Sequence, residues 1–319
     1  MPFWKKDLQT LRKNGFHSMK KLQAWISACR LRTLPLSISG AIVGSGVAYS
    51  EGVFSLLVFV FTILTTLSFQ ILSNLANDYG DGVKGTDNEN RIGPERALQS
   101  GIISPKQMRN AIVINVIICL FLVVTLIYQA FGGDQFLTSF IFIVLGVLAI
   151  IAAIKYTVGA SAYGYKALGD VMVFLFFGWL SVLGTYFLYS KQIDFLILLT
   201  ASSIGLLSAG VLNLNNMRDF ESDKLSNKHT LAGYLGLVNA RKYHLILIVL
   251  AVSLMFLYFS LLSNNLSMGG LMIGFIPLFI HLSVFYKVHS PKDYDPQLKF
   301  LALSTFLLAL IFSACHVLI

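Results

Sequence analysis

The chain has 319 residues, of which 56% are hydrophobic and 12% charged, about half the charged share usual in a soluble domain. That deficit excludes an ordinary soluble fold and points to a bilayer. The formal net charge of +9 does not indicate nucleic acid, because the basic residues form no surface patch and instead flank apolar runs. Cys29, Cys119 and Cys315 lie far apart with no CxxC pair, which argues against a disulfide framework or a zinc site.

Residues 1–33 carry eight Lys and Arg with no apolar run before about Leu34, too distant and too polar for a signal peptide. Residues 5–29 therefore predict an amphipathic helix lying on the membrane surface. The chain divides into a basic cytoplasmic segment over 1–33 and a transmembrane domain over 34–319. A spanning helix needs about 20 mostly apolar residues, and nine runs qualify: 34–50, 53–76, 108–131, 135–154, 168–189, 193–214, 243–263, 266–287 and 298–318. Pro35 suits a first helical turn. Gly40 and Gly44 form a GxxxG pair suited to close helix packing. The fold class is all-α integral membrane.

The connections alternate in charge. Eight Lys and Arg precede the first span, five follow the second, two (Lys155 and Lys166) the fourth, five the sixth and three the eighth. The opposite side holds only Lys191. This asymmetry predicts a multi-pass protein of the plasma (inner) membrane with its N-terminus and even-numbered loops in the cytoplasm, and adding or losing one helix would scramble it. The loops after the second and sixth spans are long and polar, and functional residues concentrate in such loops.

Those two loops carry related acidic motifs. The first runs from Asn74 through Asn77, Asp78 and Asp81 to Asp87; the second runs from Asn213 through Asn215 and Asp219 to Asp223. Asn215, Asp219 and Asp223 recur at i, i+4 and i+8, one face of a helix, and Asn77 and Asp81 share that spacing. Gly80, Gly82 and Gly85 are expected to loosen the chain before Asp87. Crowded carboxylates at a helix end repel one another and resist burial, so a cation should offset them. Oxygen-only ligands suit Mg²⁺, which usually binds a few carboxylates together with substrate phosphates. Two facing Asp clusters with Lys84, Arg91, Arg218 and Lys228 interleaved thus predict a diphosphate site. A single DxxxD would read as solvated loop charge; two Asn-led motifs at matching helix ends do not. Asp78 to Gly82 opens like the DxxDG motif of CDP-alcohol phosphotransferases, but the chain continues as Gly85-Thr86 rather than Ala-Arg and lacks the nearby later carboxylates.

Together with Arg30-Leu-Arg32-Thr33-Leu-Pro35, Arg91-Ile-Gly-Pro94-Glu-Arg96, Tyr163-Gly-Tyr165-Lys166-Ala-Leu-Gly169-Asp170 and Lys228-His229-Thr230-Leu231, the motifs resemble the UbiA-type membrane prenyltransferases over roughly 24–319, and within them the branch acting on 1,4-dihydroxy-2-naphthoate. Asn227 stands where a glycine is expected before Lys228. The resemblance implies nine helices around a central cavity. It implies Mg²⁺ on Asp81, Asp87, Asp219 and Asp223, with Asn77 and Asn215 ligating or orienting, and Arg91, Lys166, Arg218 and Lys228 adding positive charge at the diphosphate. The implied reaction joins a polyprenyl diphosphate to the naphthoate, giving demethylmenaquinone, diphosphate and CO₂ in menaquinone biosynthesis, with no obligate protein partner. Tyr79, Tyr156, Tyr163 and Tyr165 are candidates to face an allylic cation, with an interfacial aromatic belt as the plainer reading. Arg32, ahead of Arg30, is the candidate for the acceptor's carboxylate. Asp170 reads as a structural partner of Lys166, Phe174 to Phe177 as lipid-facing or core, and the six His as without a chemical role. The rival functions are transfer to 4-hydroxybenzoate or homogentisate, or cation-coupled secondary transport.

Overall fold

The computed structural model describes residues 19–86, 92–262 and 265–317. These form α1 (19–29), α2 (Leu34–Ser50), α3 (Leu56–Lys84), α4 (Pro105–Phe131), α5 (Phe136–Lys155), α6 (Gly169–Ser190), α7 (Ile197–Arg218), α8 (Phe220–Leu225), α9 (Leu231–Leu262), α10 (Asn265–Phe285) and α11 (Tyr294–His316). Among the described residues, nine helical stretches are long and apolar enough to cross a membrane, in register with the nine predicted spans. The protein is an all-helical, multi-pass membrane protein.

Residues 5–18 of the predicted surface helix lie outside the described residues. Its remaining part, α1, sets Ala24 and Ala28 against Leu72 and Leu75 of α3 and leaves Met19, Leu22 and Ile26 exposed. Arg30, at φ 48, and a tight turn over Leu31–Thr33 lead into α2, whose first turn holds Pro35. The helix tolerates proline there because that N–H has no helical partner.

Small residues set the central packing. A Cβ on Gly40 would lie 2.8 Å from the Phe177 carbonyl, and one on Gly44 would lie 2.5 Å from that of Val182, so the GxxxG face brings α2 against α6. Over Phe174–Gly184, α6 widens into π-helical turns, a departure from the regular helix expected there. On its other side Gly178 meets α7 at Gly205. This makes α7 the most enclosed span, 72% buried, while α5 is only 11% buried and faces outward along most of its length.

Two polar chains pin the last three spans. His244 of α9 bonds His281 of α10 at 2.9 Å, and His281 bonds Gln297 of α11 at 2.9 Å. At the opposite end of the bundle, His316 lies between Ser50 (2.7 Å) and the Tyr258 hydroxyl (2.6 Å). Buried imidazoles bonded across helices in this way tie them together.

Gly44→Leu should lower the melting temperature of the detergent-solubilised protein, because overpacking a tight contact costs about 1–3 kcal/mol. Gly133→Ala, where a Cβ meets nothing within 4 Å, should leave the melting temperature unchanged.

Candidate active site

The two acidic motifs end neighbouring rods. α3 stays helical through Lys84, so Gly80 and Gly82 do not loosen the chain as expected. They are contact points: a Cβ on Gly80 would lie 2.6 Å from Thr157 Oγ1, and Gly82 abuts Leu98. The helix stops only at Gly85, which takes φ 74, a left-handed conformation glycine adopts without penalty. Thr157 locks this end by donating to the Ala76 carbonyl and to Asn77 Oδ1, at 3.0 and 3.2 Å. The second motif crosses a bend at Asp219 (φ −92, ψ 10) between α7 and α8. Backbone bonds from Asp219 N to the Asn215 carbonyl and from Asp223 N to the Asp219 carbonyl keep all three side chains on one face.

Both faces line one cavity of 380 Å³. At its polar head stand Asn77, Asp81, Asn215, Asp219, Asp223 and Lys228. Its shaft descends between α3, α4, α5 and α6 past Phe69, Phe142, Phe176, Phe177 and Leu180 to Leu126 and Leu188. Phe176 and Phe177 therefore wall the cavity, contrary to their reading as lipid-facing or core. A helical Phe cluster has the same pattern whether it faces lipid, core or cavity.

Lys228 holds the two motifs together. Its Nζ lies 3.8 Å from Asp81 Oδ2 and 3.6 Å from Asp223 Oδ1. Burial opposes its charge, but the two carboxylates outweigh burial and hold the ammonium well above its usual range. The loop is shaped by Asn227, which takes φ 52, a left-handed conformation Asn also visits, so it replaces the expected glycine without moving Lys228. Tyr165 donates to Asp81 Oδ1 at 2.7 Å and meets the Thr86 hydroxyl at 2.7 Å. Asp223 has one oxygen buried without a hydrogen-bond partner among the described residues. Burial, with Asp219 and Asp81 nearby, raises its carboxyl to about 7 against the pull of Lys228.

The donor set fits a hard divalent cation: carboxylate and amide oxygens only, crowded carboxylates, and an orphaned carboxylate oxygen. Asn77 and Asn215 each already accept one protein hydrogen bond on Oδ1, and a carbonyl oxygen keeps a second lone pair. Among the described residues no three His, Cys, Asp or Glu side chains converge into a ready-made cation cage.

Residues 37–312 match the model of the UbiA prenyltransferase family. The chain belongs to this family. Its similar relatives include the 1,4-dihydroxy-2-naphthoate octaprenyltransferase of Escherichia coli, 43% identical over 82% of this chain and 84% of the relative. The enzyme of that name from Haemophilus influenzae is 40% identical over 92% of this chain and 96% of the relative. A solved UbiA homologue from Aeropyrum pernix shares the fold with a TM-score of 0.65 at 14% identity, covering 89% of this chain and 97% of that one. One from Archaeoglobus fulgidus, bound to DMAPP and Mg²⁺, gives 0.58 at 17% identity over 89% and 98%.

Within this UbiA fold several sequence expectations are redrawn. Asp87 and Arg91 lie outside the described residues. Arg218 does not face the cavity. Its guanidinium is buried behind Asp219, gripping both carboxylate oxygens at 2.8 and 2.7 Å and also Asp295 and Asn215, so it positions carboxylates rather than meeting phosphate. Lys84 is exposed, donates to the Thr157 carbonyl at 2.7 Å and sits over the Tyr165 ring. Lys166 is exposed, with its backbone paired to His229. Neither lysine lines the cavity. Arg32 also stands off, paired with Asp295 at 3.3 Å, while Arg30 lines the cavity. The left-handed turn at Arg30 rotates the two side chains apart, a twist no spacing rule anticipates. Of the tyrosines, Tyr156 and Tyr163 line the cavity, Tyr165 serves Asp81, and Tyr79 packs in the α1–α3 core. Asp170 is buried with both carboxylate oxygens lacking a hydrogen-bond partner among the described residues, so it makes no bond to Lys166. Arg96, at the end of the run that begins at Arg91, lines the cavity, and Thr157, which no motif marks, braces it. Asp78, buried, accepts from the Ala97 and Leu98 amides at 3.2 and 3.3 Å and so anchors the loop that carries Arg96.

A carboxyl whose folded pKa lies above its unfolded value destabilises the fold progressively as pH rises between the two. Without divalent cation, Asp223 should therefore lower the melting temperature as pH rises from about 4 to about 7, with a plateau above. Asp223→Asn should flatten that slope in a melting series recorded in chelator.

Proposed function

We propose that the protein is a 1,4-dihydroxy-2-naphthoate polyprenyltransferase. It transfers a polyprenyl chain from its diphosphate to the naphthoate ring with loss of diphosphate and CO₂, in the route to menaquinone. The observation that carries this reading is one cavity with carboxylates from two facing motifs at its head and an apolar shaft running into the membrane-spanning helices. It is supported by 40–43% identity to enzymes of that name over most of the chain and by a homologue of the same fold bound to a prenyl diphosphate and Mg²⁺.

Each part of the cavity has work in this reaction. Asp81, Asp219 and Asp223, with Asp87 from outside the described residues, would hold Mg²⁺, with Asn77 and Asn215 beside them. When bound, Mg²⁺ supplies positive charge that stabilises the departing diphosphate. Lys228, the described lysine facing the cavity, reaches phosphate oxygens from between Asp81 and Asp223. The C–O bond of the donor breaks with its electron pair leaving on diphosphate. The allylic fragment is then held against Tyr156 and Tyr163, whose ring centroids lie 5.3 Å apart and whose faces favour positive charge. Apolar walls keep water from trapping it. The ring carbon bearing the carboxylate attacks, forming the new C–C bond. CO₂ departs, its bonding pair returns to the ring, and the product is a prenylated naphthohydroquinone whose two-electron oxidation gives demethylmenaquinone. Arg30 and Arg96 at the cavity mouth suit the acceptor's carboxylate before it leaves.

The charge asymmetry of the loops orients the motif end toward the cytoplasm of a plasma membrane, where a water-soluble naphthoate and Mg²⁺ are at hand. Carboxylates at helix ends rather than at the bilayer midplane disfavour a coupled transporter.

Purified protein given octaprenyl diphosphate, Mg²⁺ and dihydroxynaphthoate should release diphosphate and form a product heavier than the acceptor by the octaprenyl group less CO₂, read by mass spectrometry. Prenylation of 4-hydroxybenzoate but not of dihydroxynaphthoate would refute the assignment. Asp81→Asn and Asp219→Asn should each reduce turnover by about 10²-fold or more, as loss of one group stabilising developing charge does elsewhere. Full activity in both variants would remove the metal assignment.

A further inference from the structure

The buried guanidinium of Arg218 serves two carboxylates. It grips Asp219 through two parallel hydrogen bonds and, through its remaining amino group, donates to Asp295 Oδ1 at 2.6 Å. Asp295 stands in the first turn of α11, 77 residues further along the chain, and faces Arg32 on its other side at 3.3 Å. Its side chain is 34% exposed, against 0% for that of Arg218, and it is not among the residues lining the cavity. A row of alternating charge thus runs inward from Arg32 through Asp295 and Arg218 to Asp219.

We propose that Asp295 is a positioning residue that sets the cation affinity of Asp219 by sharing Arg218 with it. The inference rests on the reading of Asp219 as a metal ligand. Bound to Asp219 alone, the single positive charge of Arg218 would cancel that carboxylate and weaken its attraction for a divalent cation. Divided between two carboxylates, the same charge leaves the group Asp219–Arg218–Asp295 with one net negative charge. The guanidinium plane is also held at both ends. Its amino group on the Asp219 side bonds Asn215 Oδ1 at 2.9 Å, so the rotation that would misaim Asp219 is blocked by contacts on three residues. Asp295 itself is favoured where it lies, because a carboxylate in the first turn of a helix meets unpaired N–H groups. Outer groups that orient a ligating carboxylate typically alter metal affinity by about 10–100-fold when removed.

Asp295→Asn keeps the shape and removes the charge. Two readouts are taken on the solubilised full-length protein: the Mg²⁺ concentration giving half-maximal prenyl transfer, and Mn²⁺ binding followed by electron paramagnetic resonance in the presence of inorganic diphosphate, which needs no turnover. Both midpoints should rise by about tenfold, while the KM for dihydroxynaphthoate stays within about twofold of wild type. Asp295→Glu, which restores the charge, should return both midpoints to near the wild-type value. An unchanged Mn²⁺ midpoint in folded Asp295→Asn overturns the proposal, as does a Glu variant that behaves like Asn. Should Asp295→Asn fail to fold, Arg32→Gln reads the same row from its outer end. Released from Arg32, Asp295 draws harder on Arg218 and both midpoints fall; an unchanged Mn²⁺ midpoint there also overturns the proposal. A wild-type protein that prenylates no aromatic acid yet binds Mn²⁺ with diphosphate defeats the function proposed above and leaves Asp295 testable through Mn²⁺ alone.

Discussion

Three carboxylates share one buried chamber, and the rest of the motif end is arranged around that fact. Asp81, Asp219 and Asp223 are each no more than 6% exposed, and like charges brought out of water repel strongly. Each is met differently. Asp219 has a buried arginine that it shares with Asp295, Asp81 has a tyrosine hydroxyl, and Asp223 shares Lys228 with Asp81. Of these three partners, the lysine alone lines the cavity. The permanent counter-charge is placed behind the carboxylates and the exchangeable counter-charge in front of them. A site that receives cation and diphosphate together, as proposed above, would benefit from that separation.

Close packing elsewhere serves the same chamber. Gly40 and Gly44 let α2 approach α6, Gly178 and Gly205 let α6 approach α7, and Gly80 lets α3 seat against Thr157. These contacts bring the two motif-bearing helices to a fixed separation. The other wall, α5, is held on one face and exposed along most of the rest. The bundle is therefore tight around the chemistry and open-textured around the shaft. The π-helical turns of α6 present Phe177, Leu180, Ser181 and Gly184 to that shaft.

Spans and motif spacing were legible in the sequence because they are local properties. Apolar length marks a spanning helix, and the i, i+4, i+8 row of Asn215, Asp219 and Asp223 reaches the cavity as one face despite the bend at Asp219. What the sequence hid depends on distant partners. Arg218 reads like a phosphate ligand until Asp295, far along the chain, is seen to occupy it. Arg30 and Arg32 are two residues apart and chemically alike, and only the φ of Arg30 separates the cavity from the outer ion pair. Gly80 and Gly82 signal looseness in isolation but tight contact once Thr157 and Leu98 arrive. Phe176 and Phe177 show that an apolar pattern does not say whether a helix faces lipid, protein or an empty channel.

The volume of the cavity has a consequence for how the proposed enzyme meets its donor. A space of 380 Å³ is the scale of a site for one drug-sized molecule, far short of the long polyprenyl tail and a two-ring acceptor together. In the reaction proposed above, the cavity would hold the reacting head and the first isoprene units, and the remaining tail would stay among the lipids. The bilayer is then part of the binding site, and donor supply is a surface density rather than a bulk concentration. Detergent in the assay would then act as a diluent of that surface.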